Sequence, residues 1–85
     1  MQIEYARQFL KAASRLPAKL ITRAGEKEVL FRGNPFHPSL DTHKLHGKDK
    51  GAWTFSVDRR FRIKFIFLSF DHVLFIDIGT HDIYT

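Results

Sequence analysis

Apolar residues change their period along this chain. Over the first third they recur at helical spacing: Phe9, Leu10, Ala13 and Leu16, then Leu20, Ile21 and Ala24, with Val29, Leu30 and Phe31 closing the run. Positions three and four apart share one face of a helix, so the spacing predicts two helices. A short edge strand precedes them at residues 2 to 5, where Gln2, Ile3, Glu4 and Tyr5 alternate. Pro17 lacks an amide hydrogen and ends the first helix; the second starts near Ala18 and stops at Gly33-Asn34-Pro35. Gly25 costs the second helix about 1 kcal/mol relative to alanine, which marks the place where a kink or break would fall.

From Phe36 to Gly51 the chain is polar, turn-rich and irregular. Beyond it the period becomes two. Trp53, Phe55 and Val57 alternate with Thr54, Ser56 and Asp58, and Phe61, Ile63, Phe65 and Phe67 alternate with Arg62 and Lys64. Each is the pattern of a half-buried strand. The stretch from His72 to Ile78 is apolar on both faces towards its centre, which predicts an interior strand. The helical half supplies the padding that such a sheet needs.

The register of the first hairpin follows from its faces. If Trp53, Phe55 and Val57 share a face with Phe61, Ile63 and Phe65, cross-strand partners must have an even residue sum. A three-residue loop, Asp58-Arg59-Arg60, satisfies this by pairing Val57 with Phe61. Ser56 then sits opposite Arg62, and Thr54 opposite Lys64. The face away from the helices is therefore expected to be polar, basic and exposed, carrying Thr54, Ser56, Arg62 and Lys64.

Composition narrows the function. Eighty-five residues, 44% of them hydrophobic and nine of them phenylalanine, suit one small domain over residues 1–85 and argue against disorder. There is no cysteine, so neither a disulfide framework nor a cysteine-based metal site is expected, as befits a reducing, cytoplasmic setting. No apolar run approaches the ~18 residues of a membrane span, and Met1 to Tyr5 lacks the features of a signal peptide. A net charge of +5 and a pI near 9.9 favour an anionic partner: nucleic acid, an acidic protein segment or a membrane surface.

The charges are unevenly spread. Arg7, Lys11 and Arg15 are spaced by four, as are Lys19, Arg23 and Lys27, and both sets read as solvated helix faces. The segment from His43 to Lys64 is richer. It holds seven basic residues (Lys44, Lys48, Lys50, Arg59, Arg60, Arg62 and Lys64) against Asp49 and Asp58, with His43 and His46 beside them. Such a patch suits a phosphate backbone.

Five histidines offer acid–base chemistry, since imidazole titrates near neutrality. His43 and His46 with His37 upstream do not match the ligand spacing of a zinc site, and no metal is assigned. His81 stands out because it follows Gly79 just beyond the last strand, with Asp82 beside it to orient it. His37 and His72 read as structural or surface residues. Tyr84 reads equally as a plug on the sheet edge or as a catalytic hydroxyl. There is no phosphate-binding glycine loop, no nucleophile pattern and no nucleotide fingerprint. Trp53 and the phenylalanines alternate as core residues do and are assigned to packing.

Taken in order, His43-Lys44-Leu45-x-Gly47, Trp53-x-Phe55-x-Val57, Phe61-Arg62-Ile63-x-Phe65 and Asp77-Ile78-Gly79-Thr80-His81-Asp82 resemble the RelE/ParE superfamily of bacterial toxins. The similarity spans roughly residues 36 to 84 and is strongest to the RelE/StbE and YafQ-like mRNA interferase branch. It implies an α+β fold: a small, twisted, mainly antiparallel sheet of three to four strands with two N-terminal helices packed on one face. It implies a type II toxin with a cognate antitoxin protein, acting as a metal-independent endoribonuclease on mRNA in the ribosomal A site, with no cofactor. The chemistry implied is attack of a ribose 2′-OH on the adjacent phosphorus.

By position, the resemblance makes His43, Arg62, His81 and Tyr84 catalytic. Lys44 and Lys64 become phosphate contacts, and His46, Lys48, Lys50, Arg59 and Arg60 extend the RNA-binding set. Three positions depart from the pattern. Ser56 stands where YafQ-like toxins carry a strand histidine, Phe61 replaces a tyrosine, and Tyr84 follows His81 by three residues rather than four. Two other functions fit the same pattern: a ParE-like inhibitor of DNA gyrase that is not a nuclease, and an inactive RNA- or protein-binding module.

Overall fold

The computed structural model describes residues 1–47, 51–80 and 83. The chain runs β1 (Gln2–Tyr5), α1 (Arg7–Ala13), α2 (Ala18–Gly33), a 3-10 turn (Pro38–Leu40), β2 (His43–Lys44), β3 (Trp53–Ser56), β4 (Arg62–Ser69) and β5 (His72–Gly79). The five strands lie in the order β1-β5-β4-β3-β2. The pairing of β1 with β5 is parallel and the others are antiparallel. This is an α+β fold with an interior β5, as its two apolar faces predict. The sheet has one strand more than expected. The addition is β2, two residues at the far edge, too short to carry an alternation signal in a segment read as irregular.

The hairpin has the register derived from its faces. Ser56 lies opposite Arg62 and Thr54 opposite Lys64, while the Val57 amide donates to the Phe61 carbonyl at 2.9 Å. The helices differ from expectation in length. α1 ends at Ala13, and the Ser14 hydroxyl donates to the Lys11 carbonyl at 2.7 Å, so the backbone turns before Pro17 rather than at it. α2 continues through Gly25, which faces open space and is tolerated because tertiary packing further along holds the helix.

That packing centres on Phe31, fully buried against the sheet. Its ring stacks on Phe55 with centroids 4.7 Å apart and meets Phe65 and Phe75 edge-on at 4.9 and 5.6 Å. Phe9 of α1 packs on Phe75 at 5.5 Å. Not every apolar position joins this core: Phe70 is 94% exposed in the β4–β5 turn, and Phe36, Leu68, Leu10 and Val29 are also exposed. The packing assignment therefore fails at Phe70 and holds only in part at Phe36, which leans on Trp53 and Phe67. Phe70 lies in a turn, where alternation has no face to fill.

The parallel edge is fastened by side chains. The Tyr5 hydroxyl donates to Glu28 on α2, Arg32 reaches that carboxylate at 3.1 Å, and Arg32 also donates to the Met1 carbonyl at 3.2 Å. Burial, followed by the neighbouring Glu28 carboxylate, raises the Tyr5 pKa. His72 contacts the Glu4 carboxylate across the β1–β5 pair, and the Met1 ammonium lies 3.3 Å from Asp71.

Candidate active site

Cross-strand register sorts the side chains into two kinds of row. On the side away from the helices, His43, Thr54 and Lys64 stand opposite one another across three strands, and Lys64 pairs with Asp77 of β5 beside a register irregularity. Beside them runs a second row, Ser56, Arg62 and Gly79. Directly paired residues project to the same side of a sheet. The intervening row, Phe55, Ile63 and Ile78, projects to the helix side, as does the row beyond His43 and Thr54, formed by Lys44, Trp53, Phe65, Phe75 and Tyr5. Thus His43, Arg62 and Lys64 share one face, and Lys44 lies on the other.

This face is not as open as expected. Thr54 is fully buried, and Ser56, Arg62 and Lys64 are half-buried. The cause is chain that the strand pattern does not include. At one side the 3-10 turn leads into Asp41, whose carboxylate accepts from Arg62 Nη2 at 3.0 Å. The other side is covered near Ile83, whose carbonyl lies 3.5 Å from Lys64 Nζ and whose amide donates to the Thr80 carbonyl at 3.1 Å. Gly79 permits this cover: a Cβ there would lie 2.7 Å from Ile83 Cγ2.

The polar contacts fix the geometry. His43 is an exposed residue on the edge strand, with Nδ1 3.0 Å from the Asp41 carbonyl. Arg62 Nη1 is buried with no hydrogen-bond partner among the described residues. A buried, unpaired guanidinium nitrogen is costly unless something anionic arrives to meet it. Asp77, opposite Lys64, accepts from Gln8 Nε2 of α1 at 2.8 Å and from the Ile78 amide at 2.9 Å. His37 and His72 serve locally: His37 Nδ1 accepts from the Ser39 amide at 3.2 Å and caps the 3-10 turn, and His72 is bound to Glu4.

A second cationic surface adjoins the first at Ser56. A groove of about 790 Å³ runs between α2 and the β3–β4 turn, lined by Lys19, Arg23, Lys27, Arg59 and Arg60. Asp58, also in its wall, is committed to its own turn, accepting from the Phe61 amide at 2.7 Å and the Arg60 amide at 2.8 Å. Those bonds, the Phe61 amide foremost, hold its carboxyl below the usual range despite some desolvation, with help from the charges of Arg23 and Arg60. Lys19, Arg23 and Lys27, spaced by four on one face of α2, line this groove together, with Lys19 and Arg23 exposed.

Of the residues singled out by sequence, His43, Arg62 and Lys64 come together on one face, and Arg59 and Arg60 stand at its end. His46 is exposed beyond β2. Lys48, Lys50, His81, Asp82 and Tyr84 lie outside the described residues. Sequence reasoning missed Asp41 and Asp77. Asp41 left one trace, since aspartate is among the few residues that tolerate a left-handed bend. Among the described residues no group of three or more histidine or acidic side chains is arranged to hold a metal ion, and no helix is long and apolar enough to cross a membrane.

Comparison with solved structures places this architecture. YafQ from E. coli strain BL21(DE3) superposes with a TM-score of 0.80 at 21% identity, covering 96% of this chain and 94% of that one. The YoeB/ParE toxin from Agrobacterium tumefaciens gives 0.76 at 15% identity, covering 95% and 99%. YafQ in the E. coli DinJ-YafQ toxin-antitoxin complex gives 0.78 at 21% identity, covering 96% and 93%. The chain therefore has the fold of these toxins over nearly its whole length. No family model matches it, and no curated protein sequence does.

Proposed function

We propose that this chain is the toxin of a type II toxin-antitoxin system, a ribosome-dependent endoribonuclease that cleaves mRNA without a metal ion. The observation that carries the reading is the placement of His43, Arg62 and Lys64 on one sheet face, with a guanidinium nitrogen of Arg62 that is buried and unpaired among the described residues. The toxin fold, and the antitoxin complexes formed by proteins that share it, support the wider assignment.

Cleavage by this route needs a base, a cation and an acid, all within reach of side chains. A base takes the proton from a ribose 2′-OH, and the freed oxygen attacks the adjacent phosphorus. The bond from phosphorus to the 5′-oxygen breaks, an acid protonates that oxygen, and a 2′,3′-cyclic phosphate remains. His43 is assigned as base, with its Nδ1 already engaged by the Asp41 carbonyl. Arg62 is assigned to the charge that accumulates on the phosphoryl oxygens, with Lys64 beside it. His81 and Tyr84 are assigned to the leaving-group side on the strength of the sequence resemblance. The groove of Lys19, Arg23, Lys27, Arg59 and Arg60 extends the cationic surface for RNA backbone contacts. A cognate antitoxin covers this face, and the toxin acts in the cytoplasm.

Induced expression followed by primer extension on cellular mRNA tests the proposal. The parent chain is expected to arrest growth and leave discrete mRNA ends, whereas Arg62→Ala and His81→Ala leave mRNA intact, a loss on the order of 10²-fold or more. Equal growth inhibition by both variants would sink the assignment. Intact mRNA with DNA damage after induction of the parent would point instead to a gyrase-directed toxin.

A further inference from the structure

We infer that Asp41 is a positioning residue for this site, setting the tautomer of His43 and the direction of the Arg62 guanidinium at once. The inference rests on the reading that those two side chains act on RNA. Asp41 closes the 3-10 turn with φ 49° and ψ 45°, in the left-handed region that glycine alone enters freely. That bend has two consequences. It brings the Asp41 carbonyl oxygen to 3.0 Å from His43 Nδ1. A carbonyl only accepts, so Nδ1 carries the proton, and the neutral ring keeps its lone pair on Nε2. A base for a 2′-OH needs that free lone pair; the other tautomer would present an N–H instead.

The same bend turns the carboxylate onto Arg62 Nη2 at 3.0 Å. The guanidinium is planar, so holding one nitrogen directs the other. Nη1, buried and unpaired among the described residues, is then the donor aimed at an incoming phosphoryl oxygen. Glycine would make this turn without strain but would supply no carboxylate, so the side chain accounts for a strained residue here. The turn is itself anchored on both sides. Leu40 is fully buried, and the Thr42 hydroxyl donates to the Pro35 carbonyl at 2.5 Å. A support locked in this way holds catalytic geometry more firmly than a free loop does.

Two variants separate the arms. Asp41→Gly keeps the bend and the carbonyl but removes the carboxylate. Asp41→Val, branched at Cβ, disfavours the bend and disturbs both contacts. Single-turnover cleavage on mRNA-programmed ribosomes reads activity, and imidazole ¹⁵N shifts read the His43 tautomer. Asp41→Gly is expected to lower kcat at least about tenfold with KM changed less than about twofold, since misplacing a group by ~1 Å costs on the order of 10²-fold. It should keep the Nδ1–H tautomer and a cooperative folding transition, and add no further loss in an Arg62→Ala background. Asp41→Asn, which tolerates the bend and offers an uncharged oxygen, should recover part of the loss. Asp41→Val should also lose the single tautomer; should it fail to fold, Asp41→Gly decides alone.

Full activity of Asp41→Gly, or an unchanged His43 tautomer in folded Asp41→Val, overturns the inference. If the parent chain cleaves no RNA, the reading of the site fails by that result, and protection of the Arg62 guanidinium protons from exchange then decides. Loss of that protection in Asp41→Gly supports positioning, and its persistence overturns it.

Discussion

The two faces of the sheet are built on different terms. The helix side is a dry aromatic layer in which Phe31, Phe55, Phe65 and Phe75 are all fully buried and touch ring to ring. Its partners follow from alternation along the strands and four-residue spacing along α2. The other face is polar and half-covered, and its contacts come from chain outside the regular elements: Asp41 on Arg62, and Ile83 over Gly79 and Lys64. Non-directional burial holds the first face, and individually aimed hydrogen bonds shape the second. Damage to one should therefore read as lost stability, and damage to the other as lost chemistry.

The strongest challenge to that division is Phe31→Ala. It leaves a cavity bounded by three aromatic rings and is expected to cost about 3–5 kcal/mol, a large share of the stability of so small a domain. Chemical denaturation measures it. A cost below about 1 kcal/mol would mean that the aromatic layer is not what holds the fold.

Gly79→Ala tests the covered face by overpacking. The added methyl meets Ile83 Cγ2, so the C-terminal cover must shift at a cost of about 1–3 kcal/mol. Lys64 loses its contact with the Ile83 carbonyl in the same movement. Calorimetry alongside the cleavage assay reads both effects, and unchanged stability would show that Ile83 yields without strain.

Asp58 sharpens the comparison through pH. Its folded-state pKa is depressed, so it stabilises the fold above the ordinary carboxylate range near pH ~4. That contribution is lost as the pH falls through its folded pKa. Asp58→Asn should remove about 1 kcal/mol at neutral pH and flatten the acid limb of a stability–pH curve. A variant as acid-sensitive as the parent would assign the acid limb to other carboxylates.

The smallest effect has the opposite sign. Gly25 is exposed in the middle of α2, and a Cβ there meets nothing within 4 Å. Gly25→Ala should stabilise the chain by about 0.5–1 kcal/mol and leave any activity unchanged. A loss of stability, seen as a lower Tm, would show that α2 depends on that flexibility.

Much of this was legible before the structure, and the misses share a cause. The hairpin register was derivable because strand faces have a strict period of two, and one buried face forbids a slip. The pairing of Arg62 with Ser56 and of Lys64 with Thr54 followed from it. Strand β2 was hidden because two residues carry no period. Lys44 takes the opposite side of the sheet from His43, because neighbours in a strand face opposite ways. The expected exposure of Thr54 failed because alternation says which side a residue faces, not what covers that side.

The chain's own pattern was enough to establish two helices, an interior last strand, a basic hairpin and the side of the sheet each residue takes. Those properties depend on local periods and on separating apolar from polar surface. The register of β1 against β5, the placing of Asp41 on both His43 and Arg62, and the groove joining α2 to the β3–β4 turn belonged to the folded state alone. Each is a meeting of segments distant in sequence, and no local period encodes which distant segment will arrive.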